Sequence, residues 1–332
     1  MNKVVAYLDL LGFSECVQND LDEAIMMLSH SNTILKILIS DRILHPSESY
    51  DCFELQNLAR RTSIESFDGF KPFSDSAFIT SDNCSEFVMQ LGNFVLKAFQ
   101  FNADCFAYPE NSEDPTISHY VGMESSSPNK IHTVCVECHE HPVLFRGGLA
   151  YGNVIETKQT GLSNGQKTDC FNLMGDAVVR AVSMEYVGKA SEERKIKGPR
   201  LVFDESVYKH LSDDVKLYCR PLPENESYYE ILWPAMGYIL ENKHSFEEEI
   251  CHFHELFDPA YNLWRFYKKN NPKVAVHYEK FLELIVSSAI QLYKYVGMED
   301  FIMQKIKVEI KNKYKDYEMD WIFNGCNLQL KN

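Results

Sequence analysis

Three short segments place groups suited to metals or phosphates where a chain turns. The first is Asp9-Leu10-Leu11-Gly12-Phe13-Ser14. An Asp at the end of a buried apolar run is costly unless it is paired or coordinated. The Gly that follows lets the backbone turn sharply, so that successive N–H groups can face a triphosphate. The second is Ser74-Asp75-Ser76, a carboxylate at the tip of a predicted hairpin. The third is Phe145-Arg146-Gly147-Gly148-Leu149-Ala150-Tyr151-Gly152, an Arg on a strand whose glycines permit close approach. Two carboxylates can share a pair of divalent cations, and a guanidinium fork suits phosphate oxygens. Together with a Gly-turn nest, these are the parts an intramolecular phosphoryl transfer needs. Taken singly, each has a plainer reading: an Asp at a strand end as a cap or turn residue, an Arg-Gly-Gly as a bulge.

The elements that must position these groups follow from hydropathy pattern. Val4–Leu11 reads as a buried strand and Asp20–Leu44 as a helix, with Ala24, Met27, Leu28, Ile34, Leu35 and Leu38 near one face and Pro46 as its stop. Ile64–Phe73 and Ser76–Ser81 read as strands joined around Ser74-Asp75, and Cys84–Phe106 as a second long helix. Tyr108–Asn129, rich in Pro, Ser, Asn and Glu, reads as a surface excursion. Val143–Val154 reads as a bent strand or strand pair, Gly161–Thr168 as a polar loop, and Asp169–Leu173 as a short strand feeding a helix over Asp176–Ala190. Pro199–Asp204 reads as another strand, with two weaker ones near Val215–Cys219 and Tyr228–Trp233. From Ser245 onward only helices are expected: Glu247–Phe257, Pro259–Lys269, Val274–Val296 and Met298–Lys315. Alternation followed by helices alone argues an α+β domain over residues 1–235 and a helical C-terminal extension over 236–332.

With 33 Lys and Arg against 48 Asp and Glu, the chain carries a formal charge of −15. That balance argues against a coat for nucleic acid or for an anionic membrane surface. No apolar run reaches the length of a bilayer span, and no secretory leader is recognisable, so a cytoplasmic protein with reduced thiols is expected. Cys135-Val136-Glu137-Cys138-His139-Glu140-His141 crowds four ligand-competent side chains into seven residues without a distant second pair, a weak zinc pattern. Cys251, His252 and His254 and the aromatic-rich tail read as packing on helices.

In order and spacing, the three segments resemble those of class III adenylyl and guanylyl cyclases. Within that class the resemblance is nearest to the pyrimidine cyclases of bacterial antiphage (Pycsar) systems. It is carried by Val5-Ala6-Tyr7-Leu8-Asp9-Leu10-Leu11-Gly12-Phe13-Ser14, by Phe73-Ser74-Asp75-Ser76, by Arg146 to Gly152, and by Gly175-Asp176-Ala177-Val178 leading through Ala181 and Glu185 to Pro199-Arg200-Leu201-Val202. It covers roughly residues 3–235. The resemblance implies a ferredoxin-like βαββαβ core that pairs head to tail, each site drawing on both chains of a homodimer. It implies Asp9 and Asp75, with the Leu10 carbonyl, as ligands of two Mn²⁺ or Mg²⁺ ions. It also implies the amides of Phe13 and Ser14 on phosphates, and Arg146 on the triphosphate.

Base choice in purine-specific relatives rests on positions that are Lys71 and Asn172 here. Lys71 resembles an adenylyl cyclase, while an Asn amide at 172 can donate and accept towards a pyrimidine edge. The class usually carries an Asn and, four residues later, an Arg on the helix after Gly175; those positions are Val179 and Ser183. Arg180, one step round the helix, is the substitute candidate. The expected activity is conversion of UTP or CTP to cyclic UMP or cyclic CMP plus pyrophosphate, as a messenger for a separate effector in antiphage defence. The alternatives are an adenylate cyclase of the same fold and a catalytically inactive nucleotide-binding regulator.

Overall fold

A computed structural model describes residues 1–127, 130–163, 166–187, 196–237, 246–294, 297–314 and 319–323. The first strand, β1 (Asn2–Leu10), lies inside a seven-stranded sheet, with a neighbour on each side. Its even-numbered apolar residues Val4, Ala6, Leu8 and Leu10 enter the main core, whereas Val5, Tyr7 and Asp9 face the other side. Gly12 adopts a left-handed φ of 85° and opens a short helix, α1 (Phe13–Asn19). Asp20 accepts from the Glu23 amide and so caps α2 (Leu21–Leu44), which runs where periodicity places it. A 3-10 turn (Ser47–Ser49) and α3 (Phe53–Thr62) fill the stretch before the next strand.

Strands β2 (Gly69–Phe73) and β3 (Ser76–Ser81) form a hairpin whose two-residue turn is Ser74-Asp75. Ser74 takes a left-handed φ of 57°, a conformation costing about 1–2 kcal/mol for a residue with a Cβ. The sheet runs β10-β11-β9-β6-β1-β3-β2, where β6 is Phe145–Asn153, β9 Leu201–Asp204, β10 Cys219–Leu222 and β11 Asn225–Ile231. All its pairings are antiparallel except β6 with β9. Helices α4 (Cys84–Gln100) and α5 (Ala103–Ala107) divide what reads in sequence as one helix, ending at Asn102, whose side chain donates to the His141 carbonyl.

Two expectations of irregular chain fail. Ile117–Ser127 is a strand (β4) paired with β5 (Lys130–His139), although Tyr108–Asn129 reads as an excursion. Likewise, of the expected loop Gly161–Thr168, residues 161–163 and 166–168 lie on two paired strands, β7 (Ile155–Ser163) and β8 (Gln166–Met174), while 164 and 165 fall outside the described residues. Both two-stranded ribbons stand outside the main sheet, so neither needs the alternating apolar face that marks a half-buried strand. The helix after Gly175 also ends early: α6 (Asp176–Ser183) passes into a 3-10 turn over Met184–Tyr186. Short helices α7 (Glu205–Tyr208) and α8 (Asp213–Lys216) follow β9.

Helix α9 (Phe246–Asn270) runs unbroken through Pro259, where sequence splits it in two. Pro removes one amide donor, but buried Phe253, Leu256 and Phe257 before it and Ala260, Leu263 and Trp264 after it bind both halves to one core. Helices α10 (Pro272–Lys294) and α11 (Glu299–Lys313) complete the tail, with a 3-10 turn at Asp320–Phe323. A single buried apolar cluster includes Val4, Leu8 and Phe99 together with Phe257, Phe281 and Ile306, so the tail shares the core of the sheet. Its aromatics pack edge to face and in stacks, as Phe281 does on Phe99 and on Trp233. Among the described residues no helix is long and apolar enough to cross a membrane.

Candidate functional site

Asp9 and Arg146 face each other across β1 and β6, and Ser76 faces Asp9 from β3. The Arg146 guanidinium donates to Asp9 Oδ2 at 2.8 Å, to Glu185 in the 3-10 turn after α6, and to the Ile196 carbonyl at 3.3 Å. Ser76 Oγ lies 3.4 Å from Asp9 Oδ1 and 3.0 Å from the Tyr7 hydroxyl. Arg146 is 7% exposed and Glu185 3%, so this is an interior ion network and not a solvated pair. Its closeness depends on Gly148: a Cβ there would stand 2.3 Å from both the Ala181 carbonyl and Met184 Cβ. Glycine therefore lets α6 and its 3-10 extension lie directly on the strand, which brings Glu185 to Arg146.

Burial raises the Asp9 carboxyl above its ordinary value; Arg146 opposes this, and the nearby Glu185 and Asp75 carboxylates add to it. Asp75 reaches the same place through the hairpin turn, with its carbonyl accepting from the Leu10 amide at 3.0 Å. Both acids line a cleft of about 280 Å³ together with Leu10, Gly12, Phe13, Ser14 and Arg146. Glu15 and Cys16 donate to the Gly12 carbonyl, so Phe13 and Ser14 occupy the first helical turn, where amides have no intrahelical acceptor. The donors gathered here, two carboxylates beside a strand-end carbonyl, are hard oxygens that fit Mg²⁺ or Mn²⁺. A dication is also the charge that would offset the mutual opposition of Asp9, Asp75 and Glu185.

One chain thus collects Asp9, Leu10, Phe13, Ser14, Asp75 and Arg146, and it sets three expected residues apart. Arg146 lines the same cleft, with its guanidinium donating to Asp9, to Glu185 and to the Ile196 carbonyl. Lys71 pairs with Glu156 of β7 at 2.9 Å. Asn172 lies on β8 opposite Thr157. Arg180 turns away from the acids, donating to Asp204 at 2.8 Å, to the Tyr151 carbonyl at 2.6 Å and to Asp176 at 3.1 Å.

Two residues were not singled out for the site from sequence. Glu185 had a signal: Ala177, Ala181 and Glu185 recur every four residues, the two Ala are fully buried, and the Glu shares their face. His277 had none, because it comes from α10, far along the chain. It lines the cleft with Val274 and Tyr278, and its Nδ1 accepts from the Gly198 amide at 3.0 Å. Burial, then the Arg146 and Lys197 charges, push its imidazole down to about 4.

No family model matches this chain, and no curated protein matches it. Among solved structures, it is similar to a chain from a structural analysis of adenylate cyclases from Trypanosoma brucei in their monomeric state. The identity is 11%, the match covers 72% of this chain and 91% of that one, and the TM-score is 0.38.

Proposed function

We propose that this chain is a nucleotidyl cyclase that converts UTP or CTP to the 3′,5′-cyclic monophosphate and pyrophosphate. The observation that carries the reading is the convergence of Asp9 and Asp75, from the ends of two adjacent strands, on one cleft beside the Gly12 turn. In the reaction the ribose 3′-oxygen bonds to the α-phosphorus, the bond from that phosphorus to the β-phosphate oxygen breaks, and the hydroxyl proton passes to solvent. Two Mg²⁺ or Mn²⁺ ions held by Asp9, Asp75 and the Leu10 carbonyl would activate the hydroxyl and neutralise the departing pyrophosphate. Arg146 and Ser76 hold Asp9 towards the cleft, the Phe13 and Ser14 amides receive phosphate oxygens, and α10 walls off water on one side.

The order β6-β1-β3-β2 with antiparallel neighbours supports a ferredoxin-like βαββαβ core within the larger sheet. A head-to-tail homodimer accounts for Lys71, Asn172 and Arg180 lying away from the acids: a partner chain would bring them to the pocket. Exposed Val179, Ile155 and Met174 on α6 and the β7-β8 ribbon support a surface for that partner. The cyclic product would serve a separate effector in antiphage defence. Product analysis with each of the four triphosphates and Mn²⁺ tests the reading, beside Asp75→Ala, in which turnover is expected to fall at least about 100-fold. A clear preference for ATP refutes the pyrimidine assignment. The engagement of Arg180 by Asp176 and Asp204 favours a second reading, a nucleotide-binding regulator without turnover. Binding of triphosphate with no cyclic product at any metal concentration selects it.

A further inference from the structure

Among the described residues, one group of His, Cys and carboxylate side chains has its ligand atoms all within 4.8 Å of one another: Cys16, Glu23 and His141. They come from three separate segments, α1, the first turn of α2 and the loop between β5 and β6. Cys16 is buried, and no hydrogen bond joins the three side chains. His141 Nδ1 is buried without a hydrogen-bond partner. A buried polar nitrogen left unmade normally costs about 1–3 kcal/mol, so it needs a reason. Of the Cys135-to-His141 motif, only His141 joins this group; Cys135 and Cys138 lie on β5, exposed and half-buried.

We infer that Cys16, Glu23 and His141 form a site for one borderline-soft divalent cation of the Zn²⁺ type, with a fourth position open to water. Thiolate, imidazole and carboxylate are the donors such an ion selects, whereas Asp9 and Asp75 offer oxygens alone; His141 stands where this group borders the cleft, whose wall it also lines. In a tetrahedral zinc site adjacent ligand atoms stand about 3.3–3.8 Å apart, so the three side chains need to close by about 1 Å. Without the ion, burial and the Glu23 charge push the Cys16 thiol up to about 12, and burial holds the His141 imidazole neutral. Binding exchanges the thiol proton for the ion and releases it to solvent. The imidazole also touches the Gly12 turn, where a Cβ would meet His141 Cε1 at 3.0 Å. The ion therefore ties α1, α2 and the segment entering β6 together directly beneath the turn that carries Phe13 and Ser14. The inference does not depend on the reaction proposed for the cleft.

The test uses the full chain, stripped with a chelator and titrated with Co²⁺, whose bond to a thiolate gives a sulfur-to-metal charge-transfer absorption. One Co²⁺ per chain is expected to produce that band, and Zn²⁺ is expected to displace it. Cys16→Ser removes the band, and His141→Gln, on a different segment, weakens Co²⁺ binding by at least about tenfold. Circular dichroism identifies which variants fold, and a folded His141→Gln decides the matter if Cys16→Ser does not fold. Asp75→Ala keeps the band, because ions in the cleft have no sulfur ligand. Absence of a sulfur band in the unaltered chain overturns the site, as does a band unchanged in either folded variant. A band without any cyclic nucleotide product leaves the site standing and removes only the cyclase reading.

Discussion

Replacing Arg146 by Met separates a residue that holds the interior together from one that merely awaits phosphate. Its guanidinium lies between Asp9 at 2.8 Å and Glu185, with the Glu185 side chain 3% exposed. Removing the cation leaves two carboxylates facing each other inside the protein. Breaking a buried ion network from one side costs about 3–5 kcal/mol, a large part of the 5–15 kcal/mol typical of folded proteins. Adding Glu185→Gln removes one of the stranded charges, so the double variant is expected to regain about 0.5–3 kcal/mol relative to the sum of the singles. Denaturant unfolding of the four proteins measures the cycle.

The pH dependence supplies a second reading of the same variant. Asp9 already titrates above its ordinary value, and loss of Arg146 raises it further. The folded chain then keeps a proton that the unfolded chain gives up, so stability falls as pH rises from about 4 towards neutrality. The deficit of Arg146→Met is thus greatest at neutral pH and shrinks towards pH 4. A variant as stable as the parent at neutral pH, with reduced nucleotide affinity alone, would refute the positioning role and assign Arg146 to the triphosphate.

Two further outcomes follow from the packing. Glu230 is fully buried between Arg200 and Arg220, at 2.5 and 2.6 Å. Burial pushes its carboxyl up, but the two guanidinium groups hold it down to about 2. Its contribution is present above the unfolded value of 4.5 and is lost as pH falls from 4.5 towards 2. Glu230→Gln is therefore expected to cost about 3–5 kcal/mol at neutral pH, by denaturant unfolding, with a gap that narrows in acid. Gly148→Ala sets a methyl against a backbone carbonyl and a Cβ, neither of which can swing aside. A loss of about 1–3 kcal/mol is expected in denaturant unfolding, and an unchanged stability would mean that α6 stands farther from the sheet than described.

What could be seen in advance, and what could not, divides along physical lines. Strand β1, the Asp75 turn, β6 and the Asp20-capped α2 were visible because apolar period, turn chemistry and capping are local. The ribbons β4-β5 and β7-β8 were not, since their register answers to each other and not to a buried face. The break at Asn102 and the continuity through Pro259 were decided by contacts with distant residues. At the site, the convergence of Asp9 and Asp75 was what the resemblance to class III cyclases implied. The commitment of Arg146 to Glu185 and of Arg180 to Asp204 required the positions of three strands and a helix at once.

The placement of α10 has a mechanical corollary. Val274, His277 and Tyr278 form one side of the cleft, while the opposite flank of that helix is gripped by the rest of the tail. A slide of α10 by a single residue advances it about 1.5 Å, and the wall of the cleft moves with it. Anything that seizes the last third of the chain holds one jaw of the vice.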